Sequence, residues 1–163
     1  GIHRAALLDR VIGVETFVVA ADPDDAVMVL EGAGQETAGG WADGLAEIVK
    51  TTHTRWFSEH FDYAHDVLAQ KTIQSLAVTP AQGYANACRA LSDADVRDQL
   101  NQIQIPTLII AGQYDPVTTV QDAAFMHQSI PTSQLEILAA SHLSNIEQPQ
   151  VFNQTLSKFI QKI

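Results

Sequence analysis

Hydrophobic positions follow two different periods along this chain. Residues 107–111 form a short apolar, β-branched run behind Pro106, which predicts a buried strand. Gly112 and Asp115-Pro116 close it with loop chemistry. Residues 122–130 suit a helix, and 134–139 a second strand ending at Ser141-His142. Two strands joined by a helix predict a parallel βαβ unit, whose strands end on one edge of the sheet. Residues 149–163 predict a last helix, with Val151, Phe152, Leu156, Phe159 and Ile160 on one stripe that should pack on the sheet.

Upstream the period is helical. Residues 41–57 carry apolar side chains at 41, 45, 48, 49 and 56. Residues 66–77, 80–91 and 93–100 predict three more short helices. Thr79 and Ser92 are candidate N-caps, and Pro80 suits a first helical position. Residues 31–44, rich in glycine and polar side chains, predict a linker or hinge. Their Gly-Ala-Gly-Gln-Glu-Thr-Ala-Gly-Gly run lacks the Lys-Ser/Thr of a P-loop and the spacing of a dinucleotide loop. Before the linker, residues 2–11 can form a helix and 14–21 a strand. Asp22-Pro23 ends that strand, and 26–30 are apolar but too short to assign. No internal repeat is visible.

Composition narrows the function classes. The chain has 163 residues, enough for a core and one domain by length. It is 46% hydrophobic and 17% charged, which places it among globular chains. A formal charge of −10 argues against nucleic acid and against an anionic membrane surface. The single cysteine, Cys88, excludes an internal disulfide framework and fits a reducing compartment. No apolar run approaches the ~20 residues of a membrane helix, and no secretory leader pattern is visible. The expectation is a cytoplasmic protein.

The chemistry gathers at the strand ends. Asp115 and His142 lie 27 positions apart, each just past a predicted parallel strand, at the edge where open α/β sheets bind ligands. An acid there can fix an imidazole's tautomer, and an imidazole can serve as a general base. Each also has a bland reading, as an Asp-Pro turn residue and as a loop histidine capping backbone. His53, His60 and His65 invite a metal reading, but no second cluster at ligand spacing supports it. Surface or helical-segment histidines are the plainer account.

The order of these residues resembles the C-terminal part of the α/β-hydrolase fold. Asp115 stands in a Gly-x-x-Asp-Pro loop, and His142 in a Ser-His loop after the last strand. The wording is similar to one branch, the 3-oxoadipate enol-lactonases. The pieces that carry it are Arg-Trp-Phe at 55–57, Gly-Tyr-Ala-Asn-Ala-Cys-Arg-Ala-Leu at 83–91, Asp-Ala-Asp-Val-Arg at 93–97 and Ser-His-Leu-Ser-Asn-Ile-Glu-Gln-Pro at 141–149. The likeness runs from about residue 40 to the end, and the first thirty residues do not match well. One feature departs from the family: no pair of glycines brackets a serine or cysteine as Gly-x-Ser-x-Gly, and the oxyanion loop is not found.

The resemblance implies a partial α/β-hydrolase fold, an incomplete parallel sheet with a helical lid. Residues 1–39 would be a terminal helix/strand segment and linker, 40–104 the lid, and 105–163 a βαβα part of the core. It implies an esterase or lactonase of the β-ketoadipate route of aromatic catabolism, needing no cofactor or metal. Asp115 and His142 would be the acid and base of a Ser-His-Asp triad. Trp56, Arg55 and Arg89 would offer an aromatic wall and guanidinium groups to a lactone bearing a carboxylate. Arg55 and Arg89 as surface arginines beside a core Trp56 remain the alternative. Asn145, Glu147 and Gln148 would fix the histidine loop. Without the serine, two alternatives stand: a truncated or split half acting with a partner chain, or another hydrolase-fold reaction such as a haloperoxidase-like one. A partial sheet is expected to find its missing N-terminal half, or to self-associate through its open edge.

Overall fold

A computed structural model describes residues 36–37, 40–41, 45–93 and 96–162. The expected helix at 2–11, the strand at 14–21 and most of the linker lie outside the described residues. Inside that linker, two residue pairs do form a ladder: β1 (Glu36–Thr37) pairs antiparallel with β2 (Gly40–Trp41). Trp41 is therefore in a strand, and helix α1 starts later than its apolar spacing suggests, spanning Ala46–Trp56.

Two further helices follow, α2 (Val67–Ala77) and α3 (Ala81–Asp93). Asp66 caps α2 by accepting from the Ala69 amide at 2.8 Å, as an N-terminal carboxylate should. The two other expected caps differ. The Thr79 hydroxyl donates to the Ser75 carbonyl at 2.9 Å and closes the end of α2 instead of opening α3. Ser92 lies inside α3, which runs on to Asp93. The helix expected at 93–100 is a 3-10 turn, Arg97–Gln102.

The C-terminal part has the predicted βαβ topology. β3 (Thr107–Gly112) and β4 (Ser133–Leu138) are parallel, in register from Thr107↔Ser133 to Gly112↔Leu138. Between them, α4 (Val120–Ser129) opens with a capping box. Thr119 and Asp122 each bond the other's backbone amide, a signal that the sequence carries and that the apolar spacing alone missed. A four-residue helix, α5 (Ser144–Glu147), and α6 (Pro149–Ile160) end the chain.

Three apolar clusters hold these elements. Ile109 and Ala111 of β3 pack with Ala123, Ile130 and Leu100. Leu45, Ile48 and Leu76 pack α1 on α2. Phe57, Ala69 and Ile146 join the helical segment to α5, with Leu143 at the margin. Leu143, at the edge of this third cluster, directly follows His142 in the chain. The stripe of α6 is less covered than its pattern predicts. No α6 residue is buried, and Val151 and Ile160 are 44% and 50% exposed. The elements in contact with α6 among the described residues are chiefly α5 and β4.

Candidate active site

The site grows from the ends of β3 and β4. Because the strands are parallel and in register, the chain leaves both at the same edge. Gly112 then decides how closely the two loops approach. A Cβ there would overlap the Ser141 carbonyl oxygen and stand 2.7 Å from that of Ala140. Only glycine lets the β3 loop lie against the segment that carries His142.

Past Gly112 the chain folds around the Asp115 side chain. Pro116 has no N–H to offer, and the next two amides turn onto the carboxylate. Asp115 Oδ1 accepts from Val117 N at 2.8 Å and Thr118 N at 3.1 Å, an Asx-type turn. Oδ2 is left for two side chains: the Thr118 hydroxyl donates to it at 2.6 Å and His142 Nδ1 at 2.9 Å. The turn reading of Asp115 and its partnership with histidine are thus both realised, one on each oxygen. The Asp115 side chain is 4% exposed and that of His142 21%. Burial pushes the Asp115 carboxyl up. The bonds from His142 and Thr118, the His142 charge and the Val117 amide oppose it, and the balance lies below the ordinary carboxylate value.

The histidine loop is held from beneath. Glu147 is buried, and its Oε2 accepts from Ser141 N at 2.9 Å and Ser58 N at 3.2 Å. Its Oε1 accepts from the Ser58 hydroxyl. The Leu143 amide donates to the Trp56 carbonyl at 3.0 Å, and the Ser141 hydroxyl lies 3.1 Å from the Arg55 carbonyl. Arg55-Trp56 therefore meets the histidine loop through its backbone. The Trp56 side chain packs at the margins of both clusters of the helical segment. Arg89 lies on α3, with its side chain outside the described residues.

The three grouped histidines go to three separate partners. His53 stacks on Tyr63 with centroids 4.6 Å apart, His60 meets the edge of Tyr114, and His65 bonds Asp62 at 2.8 Å. Among the described residues no group of three His, Cys, Asp or Glu side chains could hold a metal ion. Apolar spacing and motif do not single out Thr118, although its Asp-Pro-x-Thr run brings a hydroxyl back over the carboxylate it follows.

A family model for the alpha/beta hydrolase fold matches residues 44–149, a stretch that contains both Asp115 and His142. The chain belongs to the α/β-hydrolase family. Among its curated relatives, 3-oxoadipate enol-lactonase 1 of Acinetobacter baylyi is 66% identical over 122 residues, 75% of this chain and 46% of that protein. 3-Oxoadipate enol-lactonase 2 of the same organism is 47% identical over 119 residues, 73% of this chain and 45% of that one. Among solved structures, the enol-lactonase from Burkholderia xenovorans superposes with a TM-score of 0.75 at 27% identity, covering 85% of this chain and 51% of that one. The chain spans about half the length of these relatives. What it presents is accordingly a partial α/β-hydrolase fold, with a two-stranded parallel sheet among the described residues. No helix among them is long and apolar enough to cross a membrane.

Proposed function

We propose that this chain is the C-terminal portion of a lactone or ester hydrolase resembling 3-oxoadipate enol-lactonase. Asp115 and His142 serve in it as the acid and base of a Ser-His-Asp triad. The observation that carries the proposal is the Asp115 Oδ2–His142 Nδ1 bond of 2.9 Å within the matched family stretch. The 66% identity to an enol-lactonase supports the substrate class.

In this reading a serine on a Gly-x-Ser-x-Gly elbow, from the part of the fold that these 163 residues do not contain, attacks the lactone carbonyl. His142 takes the hydroxyl proton and returns it to the leaving enolate oxygen. It then removes a proton from the water that hydrolyses the acyl-enzyme. Asp115 holds the Nδ1–H tautomer, so that Nε2 faces the reaction, and stabilises the imidazolium. Donors to the oxyanion come from the same part of the fold as the elbow. No cofactor takes part. Ser141 does not stand in for the nucleophile, because it is 1% exposed with its hydroxyl against the Arg55 and Tyr114 carbonyls. Arg55 and Arg89 are the candidate clamps for a substrate carboxylate, and Trp56 the apolar wall. We place the reaction in the cytoplasm, on the single cysteine.

Complementation tests the proposal. The chain alone should not hydrolyse an enol-lactone or a p-nitrophenyl ester above the buffer rate. Co-expressed with the elbow-bearing half of an enol-lactonase, it should, and His142→Ala should abolish that activity. Loss of Arg55 or Arg89 should raise KM for the acidic lactone by one to two decades, on the order of a charged hydrogen bond, and spare a neutral ester. No activity in a folded, associated pair would overturn the proposal and favour a non-catalytic half.

A further inference from the structure

Asp115 and His142 do not form an isolated pair. The carboxylate oxygen that receives the imidazole also receives the Thr118 hydroxyl, at 2.6 Å, the shorter of the two bonds. The same hydroxyl lies 3.4 Å from His142 Nδ1, so three polar groups meet at one point. Thr118 has no freedom to leave. Its own amide is bound to Oδ1 of the same carboxylate at 3.1 Å, and Thr119, immediately after it, is locked by the capping box that opens α4.

We propose that Thr118 is a positioning residue, whose hydroxyl fixes Oδ2 of Asp115 for His142 and shares that oxygen's charge with the imidazole. Two consequences follow from elementary chemistry. A carboxylate oxygen with one donor can swing about χ2. With two donors on Oδ2 and two amides on Oδ1 it is held at four points, so the direction in which it accepts from Nδ1 is set before any substrate arrives. Each donor also lowers the proton affinity of the carboxylate. Thr118 thereby helps to keep Asp115 ionised beside the imidazole. This inference rests on the reading of Asp115 and His142 as a catalytic pair.

Among the described residues, the other ionisable groups on the elements packed here are Tyr114 on the same loop, with His60 at its edge, Asp122 bound to Thr119 and His127 further along α4, Glu136 on β4, and Glu147 under Ser141. All are unchanged in the variants that test Thr118, so comparison among these isolates the hydroxyl.

The experiment uses the whole chain labelled with 13C and 15N. The Asp115 Cγ shift is followed against pH in wild type, Thr118→Val and Thr118→Ser, and the His142 tautomer is read from long-range 1H–15N spectra. Val keeps the shape and loses the donor, while Ser keeps the donor. The Asp115 midpoint should rise in Thr118→Val and return towards wild type in Thr118→Ser. The population of the Nδ1–H tautomer should depart from its wild-type value in Val and return to it in Ser. Should the Val chain fail to fold, Thr118→Ala carries the same expectation. A midpoint and a tautomer equal in wild type and the Val or Ala chain would overturn the role of Thr118. Asp115→Asn separates the two levels of argument. If it leaves the His142 tautomer unchanged, the Asp115–His142 pairing itself fails. If it shifts the tautomer while Thr118→Val does not, only the Thr118 inference falls.

Discussion

At the scale of single residues, Asp115 is the fixed point of the site. It is a buried carboxylate with four donors and one partner that can carry charge. Its folded-state pKa is depressed, so it favours the fold in its ionised form. The sign of the pH dependence follows. The contribution is fully present above the unfolded carboxylate value of about 3.9, and it is lost as pH falls through the lower folded value. Denaturant melts of wild type and Asp115→Asn should therefore differ by roughly 1.5–3 kcal/mol near neutrality, the range for bonds to a charged group. The gap should narrow steadily below about pH 4. A gap that is constant from pH 7 to 3 would mean that the carboxylate's charge plays no part in holding the loop.

At the scale of elements, the site depends on three segments far apart in sequence. The end of β3 brings Asp115, the loop after β4 brings His142, and the turn after α1 brings Ser58. Glu147 joins the last two, since its carboxylate binds both Ser58 and the Ser141 amide. Glu147→Ala would leave three buried donors without an acceptor, each worth roughly 1–3 kcal/mol. The chain should then lose several kcal/mol in a urea melt, with Glu147→Gln intermediate because one carbonyl oxygen remains. Equal stability of the Ala, Gln and wild-type chains would show that water replaces the carboxylate and that the helical segment docks through Phe57, Ala69 and Ile146 alone.

How much of this could be read in the sequence depends on where the information lies. β3, α4 and β4 are local: 107–111 is a single apolar run, and the true strand differs by one residue at Gly112. The place of Asp115 and His142 follows from topology alone, because two parallel strands joined by a helix must end together. The sequence context of Glu147 points to a role in fixing the histidine loop, but its partner Ser58 lies 89 positions away and nothing in its neighbours marks it. The Thr79 cap illustrates a different limit. A hydroxyl bonds as well to a carbonyl one turn back as to an amide one turn ahead, and propensity does not choose between them.

At the scale of the whole molecule, burial is uneven. Among the described residues β3 and β4 pair only with each other, so each has one strand edge without a partner strand among them. Ile137 on β4 is 48% exposed, and the α6 stripe leaves Val151 and Ile160 in the open. Strand edges template pairing with another chain, and clustered apolar surface rarely stays exposed on a monomer. The −10 charge opposes association, yet it acts over only ~8 Å in physiological salt. Burying apolar surface brings about 25 cal/mol per Å², so even a modest interface outweighs repulsion that is screened to short range. We therefore expect a second copy to occupy this face when no complementing half is present. Light scattering at micromolar concentration in ~0.15 M salt should give a dimer or larger mass. Val151→Lys together with Ile160→Lys should shift that mass towards monomer, because two lysine charges cannot be buried unpaired in an apolar contact. Adding the elbow-bearing half of an enol-lactonase should dissolve the self-association, since both compete for one surface. A wild-type chain that scatters as a monomer and melts cooperatively would mean that other residues of this same chain cover the edge and the stripe, and that the chain is a self-sufficient domain.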